Sequence, residues 1–261
     1  MLHADYAIIG GTGVYDPALL ENAREETVQT RYGTASCTVG EYQGKRIAFM
    51  PRHGKDHHVP PHQVNYKANI QALAELGVTQ VFATAAVGSM RLALAPGALV
   101  VVDQFLDFTK GRSLTFFEDG EPVTHVDMTD PYCSRLRRRL VDTASEIGVA
   151  VANGGTYVCT EGPRFESPAE IRMFAQLGGD VVGMTSIPET VLAKERGLCY
   201  SAVAMVTNYC AGMTGAPLTH QEVLAEMAKN VHLLRQLFFA AIAGLPRTAE
   251  CACHSAAGSS V

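Results

Sequence analysis

The chain has 261 residues, 47% hydrophobic and 18% charged, enough for one large α/β domain with a sizeable core. Its formal net charge of −5 gives no general basic field, which argues against a nucleic-acid partner. No apolar run reaches transmembrane length, no signal-peptide pattern opens the chain, and seven cysteines without paired metal spacing suit reduced thiols in a cytoplasm.

Tyr6–Ile9 reads as an apolar strand running into Gly10-Gly11-Thr12-Gly13, where backbone N–H groups and the Thr12 hydroxyl suit an anion. The loop lacks the third glycine of a dinucleotide fingerprint, and no phosphate-loop Gly-Lys-Ser/Thr is present, so an ordinary tight turn stays open. Residues 36–50 alternate as a hairpin. Its second strand, Arg46–Met50, empties into residues 51–58, the most polar and cationic loop of the chain. There Arg52 beside His53 suits phosphate, because a guanidinium fork matches its oxygens. The histidines at 53, 57, 58 and 62 fit no common metal-ligand spacing.

The spacing of Val64, Ala68, Ile70, Leu73 and Leu76 predicts a helix over His62–Leu76. Val81–Ala85 reads as a buried strand ending in Ala86-Val87-Gly88-Ser89, where small side chains let a ligand approach the backbone. Leu99–Asp103 is a further strand, Gln104–Arg112 a polar loop, and Arg135–Ile147 an amphipathic helix. Gly155–Cys159 leads to Phe165-Glu166, a ring that can stack on a base beside a carboxylate that accepts from ring N–H or amino groups. Ser167-Pro168-Ala169-Glu170 opens a helix as a capping box.

Val181–Met184 ends in Thr185-Ser186, and the helix over Ile187–Arg196 carries Glu189 and Glu195 as ordinary helix charges. Ala202–Val206 has the pattern of a strand buried on both faces and stops at Thr207-Asn208. Asn208 thus sits beyond a strand's carboxyl end, where open α/β sheets bind ligands, although terminating the strand explains it equally. Thr219–Ala243 is the final helix. Residues 1–247 are expected to form one α/β domain with one composite pocket, and residues 248–261 a disordered tail. Within that tail Cys251-Ala-Cys253-His254 has poor spacing for zinc.

Taken together, IIGGTGVYDP, PRHGKDH with PPHQVNYKANI, AAVGS, VVDQFLDFTKGR, EGPRFESPAE and GMTSIPETVLAKERGLCY resemble the purine nucleoside phosphorylase superfamily. The resemblance is to its methylthioadenosine phosphorylase branch in particular, and it runs from about Tyr6 to the final helix. It implies a mixed central β-sheet flanked by helices and a phosphate site of Thr12, Arg52, His53, Ala85, Ala86 and Thr185. It also implies Met184 beneath the ribose, Phe165 along the base, and His125 lent by a neighbouring subunit of a homotrimer. Phosphate is then a co-substrate, and no metal or organic cofactor is implied.

Three positions depart from the methylthioadenosine branch. That branch has Asp-Tyr-Asp where this chain has Asn208-Tyr209-Cys210, and a small residue where this chain has Glu166. An amide at 208 suits N7 and O6 of a 6-oxopurine, and Glu166 suits its N1–H. His220 resembles the residue that bonds a 5′-hydroxyl in 6-oxopurine phosphorylases, where the methylthio branch is apolar. These substitutions imply reversible phosphorolysis of inosine and guanosine, with Asn208, Arg52 and His53 as the catalytic groups. Rival expectations are a 5′-methylthioinosine or methylthioadenosine phosphorylase, a non-catalytic nucleoside-binding protein on the same fold, and an NAD-linked oxidoreductase.

Overall fold

In the computed structural model the described residues are 3–11, 14, 19–56, 58–118, 120, 124–214, 220–248, 250–255 and 259–260. The chain begins with β1 (Tyr6–Gly10), then a meander of β2 (Glu21–Thr30), β3 (Gly33–Tyr42) and β4 (Lys45–Pro51). Helix α1 (Tyr66–Glu75) precedes β5 (Gln80–Ser89), β6 (Leu99–Val101), β7 (Gln104–Phe108) and β8 (Thr124–His125). Next come α2 (Ser134–Glu146), β9 (Val151–Asn153), β10 (Thr156–Thr160), α3 (Pro168–Gln176) and β11 (Val181–Gly183). The chain continues with α4 (Ser186–Glu195), β12 (Cys199–Tyr209), α5 (His220–Ala243) and β13 (Ser259–Ser260).

An 11-stranded mixed sheet carries the fold, as expected for the α/β class. Its centre is β5, and the reason is compositional: β1, β5 and β12 are nearly uniform apolar runs, which are stable only where both faces are covered. Alternation along β12 divides the core. Tyr200, Ala202, Ala204 and Val206 face a cluster with Ile70 and Leu73 of α1 and Leu192 of α4. Val203 and Met205 face the opposite cluster with Leu136 of α2 and Phe238 of α5. That is the period-two rule of a strand.

The sheet forks at β5. Its first half, Gln80–Ala83, pairs in parallel with β1, whereas Gly88 and Ser89 pair antiparallel with β11. On its other side β5 runs in parallel with β12 throughout. Between the two pairings one edge of β5, from Thr84 to Val87, has no strand beside it among the described residues, and the backbone there is left to other partners.

Local expectations met specific outcomes. Asn65 caps α1 by accepting from Ala68 N–H at 3.0 Å, so the helix starts at Tyr66 and His62 lies in a preceding 3-10 turn. The capping box at α3 is present: Ser167 N–H donates to Glu170 Oε2 at 2.7 Å, and Glu170 N–H donates to Ser167 Oγ at 3.3 Å. Such caps stabilise a helix by about 1 kcal/mol. The expected polar loop at residues 104–112 begins instead as β7, because Gln104–Phe108 pairs with β10 along its whole length. Strand β2 gave no sequence signal: only Val28 of its ten residues is buried, as befits an edge strand.

In the stretch expected to be a disordered tail, Ala252–Ser255 forms a 3-10 turn with Cys253 buried, and Ser259–Ser260 pairs with β8. The glycine at 197 lets this segment approach closely: a Cβ there would lie 3.4 Å from His254 O. Among the described residues no helix is long and apolar enough to cross a membrane.

Candidate active site

The strand exits converge on a cavity of about 380 Å³ that opens at the fork of β5. Of the residues singled out from the sequence, Arg52, His53, Ala85, Ala86, Phe165, Glu166, Met184, Thr185, Asn208 and Cys210 line it. They arrive from five strand ends, which is why no contiguous motif contains them.

Arg52, just beyond β4, crosses under the fork. Its Nε and Nη2 donate to the two oxygens of Glu189 at 2.7 Å each, and Nη1 donates at 2.8 Å to Thr84 O, on the unpaired edge of β5. Arg52 is 4% exposed and Glu189 0%. Burial opposes the Arg52 charge, and the Glu189 carboxylate more than reverses that, so the guanidinium is held above its ordinary value. Tyr200 OH donates to Glu189 Oε2 at 2.8 Å and completes the group. Glu189, read from sequence as a helix charge, is therefore the buried partner of Arg52, the arginine expected to hold an anion. A guanidinium has five donors, so this fork keeps N–H groups for the cavity it lines.

Nearby, His53 Nδ1 lies 2.9 Å from Val59 O, which fixes that nitrogen as the donor and sets the ring's orientation. Thr185 lines the same cavity just before α4; Ile187 departs from helical geometry and Pro188 has no N–H, so what this turn offers an anion is the Thr185 hydroxyl rather than a helix N-terminus. Ala85 and Ala86 bring the β5 backbone to the same wall.

The opposite side is built by a bulge. Val206 pairs with Val87 but Asn208 pairs with Gly88, so Thr207 is an extra residue on β12. Bulges re-aim side chains near binding sites. Here the Asn208 amide turns toward the cavity, with Nδ2 donating to Tyr209 O at 2.9 Å and Oδ1 2.8 Å from Thr207 Oγ1. Gly88 makes the room: a Cβ there would lie 3.1 Å from Asn208 Nδ2 and 2.9 Å from Cys210 Sγ. Across the cavity Glu166 Oε1 accepts from Thr160 Oγ1 at 2.7 Å. Burial raises the Glu166 pKa above its ordinary value, and the Thr160 hydrogen bond opposes the shift.

Other expected residues fall elsewhere. Tyr209 does not line the cavity, since its OH donates to Leu92 O at 3.0 Å. His125 is exposed on β8 and also outside the cavity. Thr12, His57 and Thr219, the expected first residue of the final helix, lie outside the described residues, and of His220 only its place at the start of α5 is described.

Besides Glu189, sequence reasoning missed two contributors to the site. Arg112 is buried and holds four carbonyls: Nη1 donates to Met184 O at 2.7 Å and Ile187 O at 2.8 Å, while Nη2 donates to Thr160 O and Glu161 O. It ties the exits of β10 and β11 together beneath Met184 and Thr185. Val223, Leu224 and Met227 of α5 form an apolar wall, and their helical spacing was the available signal.

The chain belongs to the phosphorylase superfamily, whose family model matches residues 5–243. It is 58% identical over 253 residues to a protein of Moorella thermoacetica named probable 6-oxopurine nucleoside phosphorylase, covering 97% of each chain. The 6-oxopurine nucleoside phosphorylase of Pyrococcus furiosus is 51% identical, with 96% of each chain covered. Among solved structures, a methylthioadenosine phosphorylase from an antarctic soil metagenomic library superposes with a TM-score of 0.90 at 35% identity, covering 98% of this chain and 91% of that one.

The buried pair gives a direct prediction. Removing one partner of such a pair strands the other charge and costs about 3–5 kcal/mol. Glu189→Gln should lower the free energy of urea unfolding by that amount. An unchanged midpoint would mean that Arg52 does not depend on Glu189.

Proposed function

We propose that this chain is a purine nucleoside phosphorylase that cleaves 6-oxopurine nucleosides, inosine and guanosine, with phosphate to give the free base and ribose 1-phosphate. The observation that carries the reading is the placement of Asn208 and Glu166 on one cavity with Arg52 and Thr185. An amide that donates to N7 or O6 and a carboxylate that accepts from N1–H together describe a 6-oxopurine edge. The names of the relatives at 58% and 51% identity agree with it.

In this reading Arg52, His53, Thr185 and the β5 backbone hold phosphate below the sugar, with Thr12 adding a hydroxyl. Met184 packs beneath the ribose and Phe165 covers the base. As the glycosidic bond lengthens, the sugar becomes cationic and the purine electron-rich. Phosphate stabilises the first and attacks C1′, while Asn208 stabilises the second. The rate enhancement is electrostatic preorganisation plus positioning. It calls for no metal or organic cofactor in the chemistry.

We also propose a homotrimer in the cytoplasm. Exposed Leu92, Met173 and Leu177 offer apolar surface to a second copy, and His125, exposed on β8, is available to a neighbour's sugar site. An odd number of cysteines suits a reducing compartment.

A second reading has a specific observation behind it. The apolar α5 wall of Val223, Leu224 and Met227 suits a 5′-methylthio group, and an S-methyl-5′-thioadenosine phosphorylase of Hyperthermus butylicus is 48% identical. Phosphate-dependent base release from inosine, guanosine, methylthioinosine and methylthioadenosine separates the readings. The 6-oxopurine nucleosides should have the highest kcat/KM, because buried polar groups left unpaired discriminate strongly. Dominant methylthioadenosine cleavage would refute the proposal.

The Glu166 pKa adds a pH test. Its raised value means that the carboxylate, the form that accepts from N1–H, protonates at a higher pH than an ordinary glutamate. Activity on inosine should therefore fall, as pH drops, on a limb above the usual carboxylate range, and Glu166→Gln should remove that limb. A limb that persists in the variant belongs to another group.

A further inference from the structure

Away from the cavity, four cysteines from three parts of the chain meet. Cys133 is the N-cap of α2, Cys199 opens β12, and Cys251 and Cys253 flank the start of the 3-10 turn in the C-terminal segment. Their sulfur atoms all lie within 4.8 Å of one another, with Cys133 and Cys251 3.7 Å apart. Three of the four are buried. A zinc ion held by four thiolates at about 2.3 Å places neighbouring sulfurs about 3.8 Å apart. The cluster is thus already close to the size of such a cage.

A second observation concerns charge. Four thiolates around a divalent cation leave a net negative charge that needs compensation. Arg135 Nη2 lies 3.6 Å from Cys199 Sγ, and Cys133, as the N-cap residue, stands at the positive end of α2. A guanidinium and a helix N-terminus therefore both point at the sulfurs, as outer partners of metal-bound thiolates do. His254 borders the set rather than joining it: its Nδ1 is 2.8 Å from Gly197 O, and its Nε2 reaches Cys199 Sγ at 3.9 Å. The one-residue gap between Cys251 and Cys253 is shorter than the usual ligand spacing, but the fold supplies the other two ligands from distant elements.

We propose that Cys133, Cys199, Cys251 and Cys253 form a tetrathiolate site for one zinc ion that staples the C-terminal segment to the body of the domain. The site is structural, since four protein ligands leave no open position for substrate. It fastens the chain shortly before β13, the strand that pairs with His125 on β8. None of the four cysteines lines the cavity, so the ion acts on stability and not on the chemistry.

The test is elemental analysis of the full-length protein purified under reducing conditions with zinc supplied. One zinc ion per chain should survive gel filtration, and stripping it with a chelator should lower Tm and expose four thiols to a thiol reagent. The Cys251→Ser/Cys253→Ser variant should lose the ion while phosphorolysis at moderate temperature is unchanged. Zinc retained by that variant would overturn the proposal. So would four free thiols that take up no supplied zinc, or a mass showing these cysteines already oxidised to disulfides.

Discussion

The ion pair of Arg52 and Glu189 is the interaction on which the site depends. It joins the end of β4 to α4, and through Thr84 O and Tyr200 OH it also ties in β5 and β12. Two charges taken out of water are favourable only if their hydrogen bonds are nearly complete. Here the bidentate geometry and two further partners meet that condition. The pair also explains how the sheet tolerates a fork, because the guanidinium serves the β5 carbonyl at Thr84, which among the described residues has no strand beside it on that edge. A cation fixed in this way costs little reorganisation when an anion binds, which is what preorganisation requires.

A second constraint lies at the end of β12, where one extra residue sets the orientation of Asn208 on the cavity. Without Thr207 as a bulge, the alternation of β12 would continue and position 208 would change face. The bulge turns the amide toward the cavity, Gly88 leaves room for it, and Thr207 stands against its oxygen. Arg112 holds the facing wall by its contacts with the carbonyls at the ends of β10 and β11. The polar groups of the cavity thus have an orientation that the backbone has already set.

Much of this was legible in the sequence where the signal is local. Strands β1, β5 and β12 announce themselves as apolar runs, Ser167–Glu170 as a capping box, and Asn208 as a polar residue ending a buried strand. What escaped depends on contacts distant in sequence. Glu189 sits 137 residues from Arg52 on a helix whose charges look solvated. Arg112 has a charged residue's ordinary preference for the surface, and only the carbonyl cluster it meets explains its burial. Strand β2 is too polar to read as a strand, and β7 becomes one only through β10. The cysteines follow the same rule, since spacing along the chain gives no hint that Cys133 and Cys251 meet.

The central claim is that Asn208 reads and stabilises the 6-oxopurine. The most direct measurement is kcat/KM for inosine in Asn208→Asp, which keeps the shape and removes the donor. Losing one such donor costs about 10²–10³-fold in rate. The account predicts a fall of that size with the fold intact by circular dichroism. Inosine kinetics unchanged from the parent protein would contradict it.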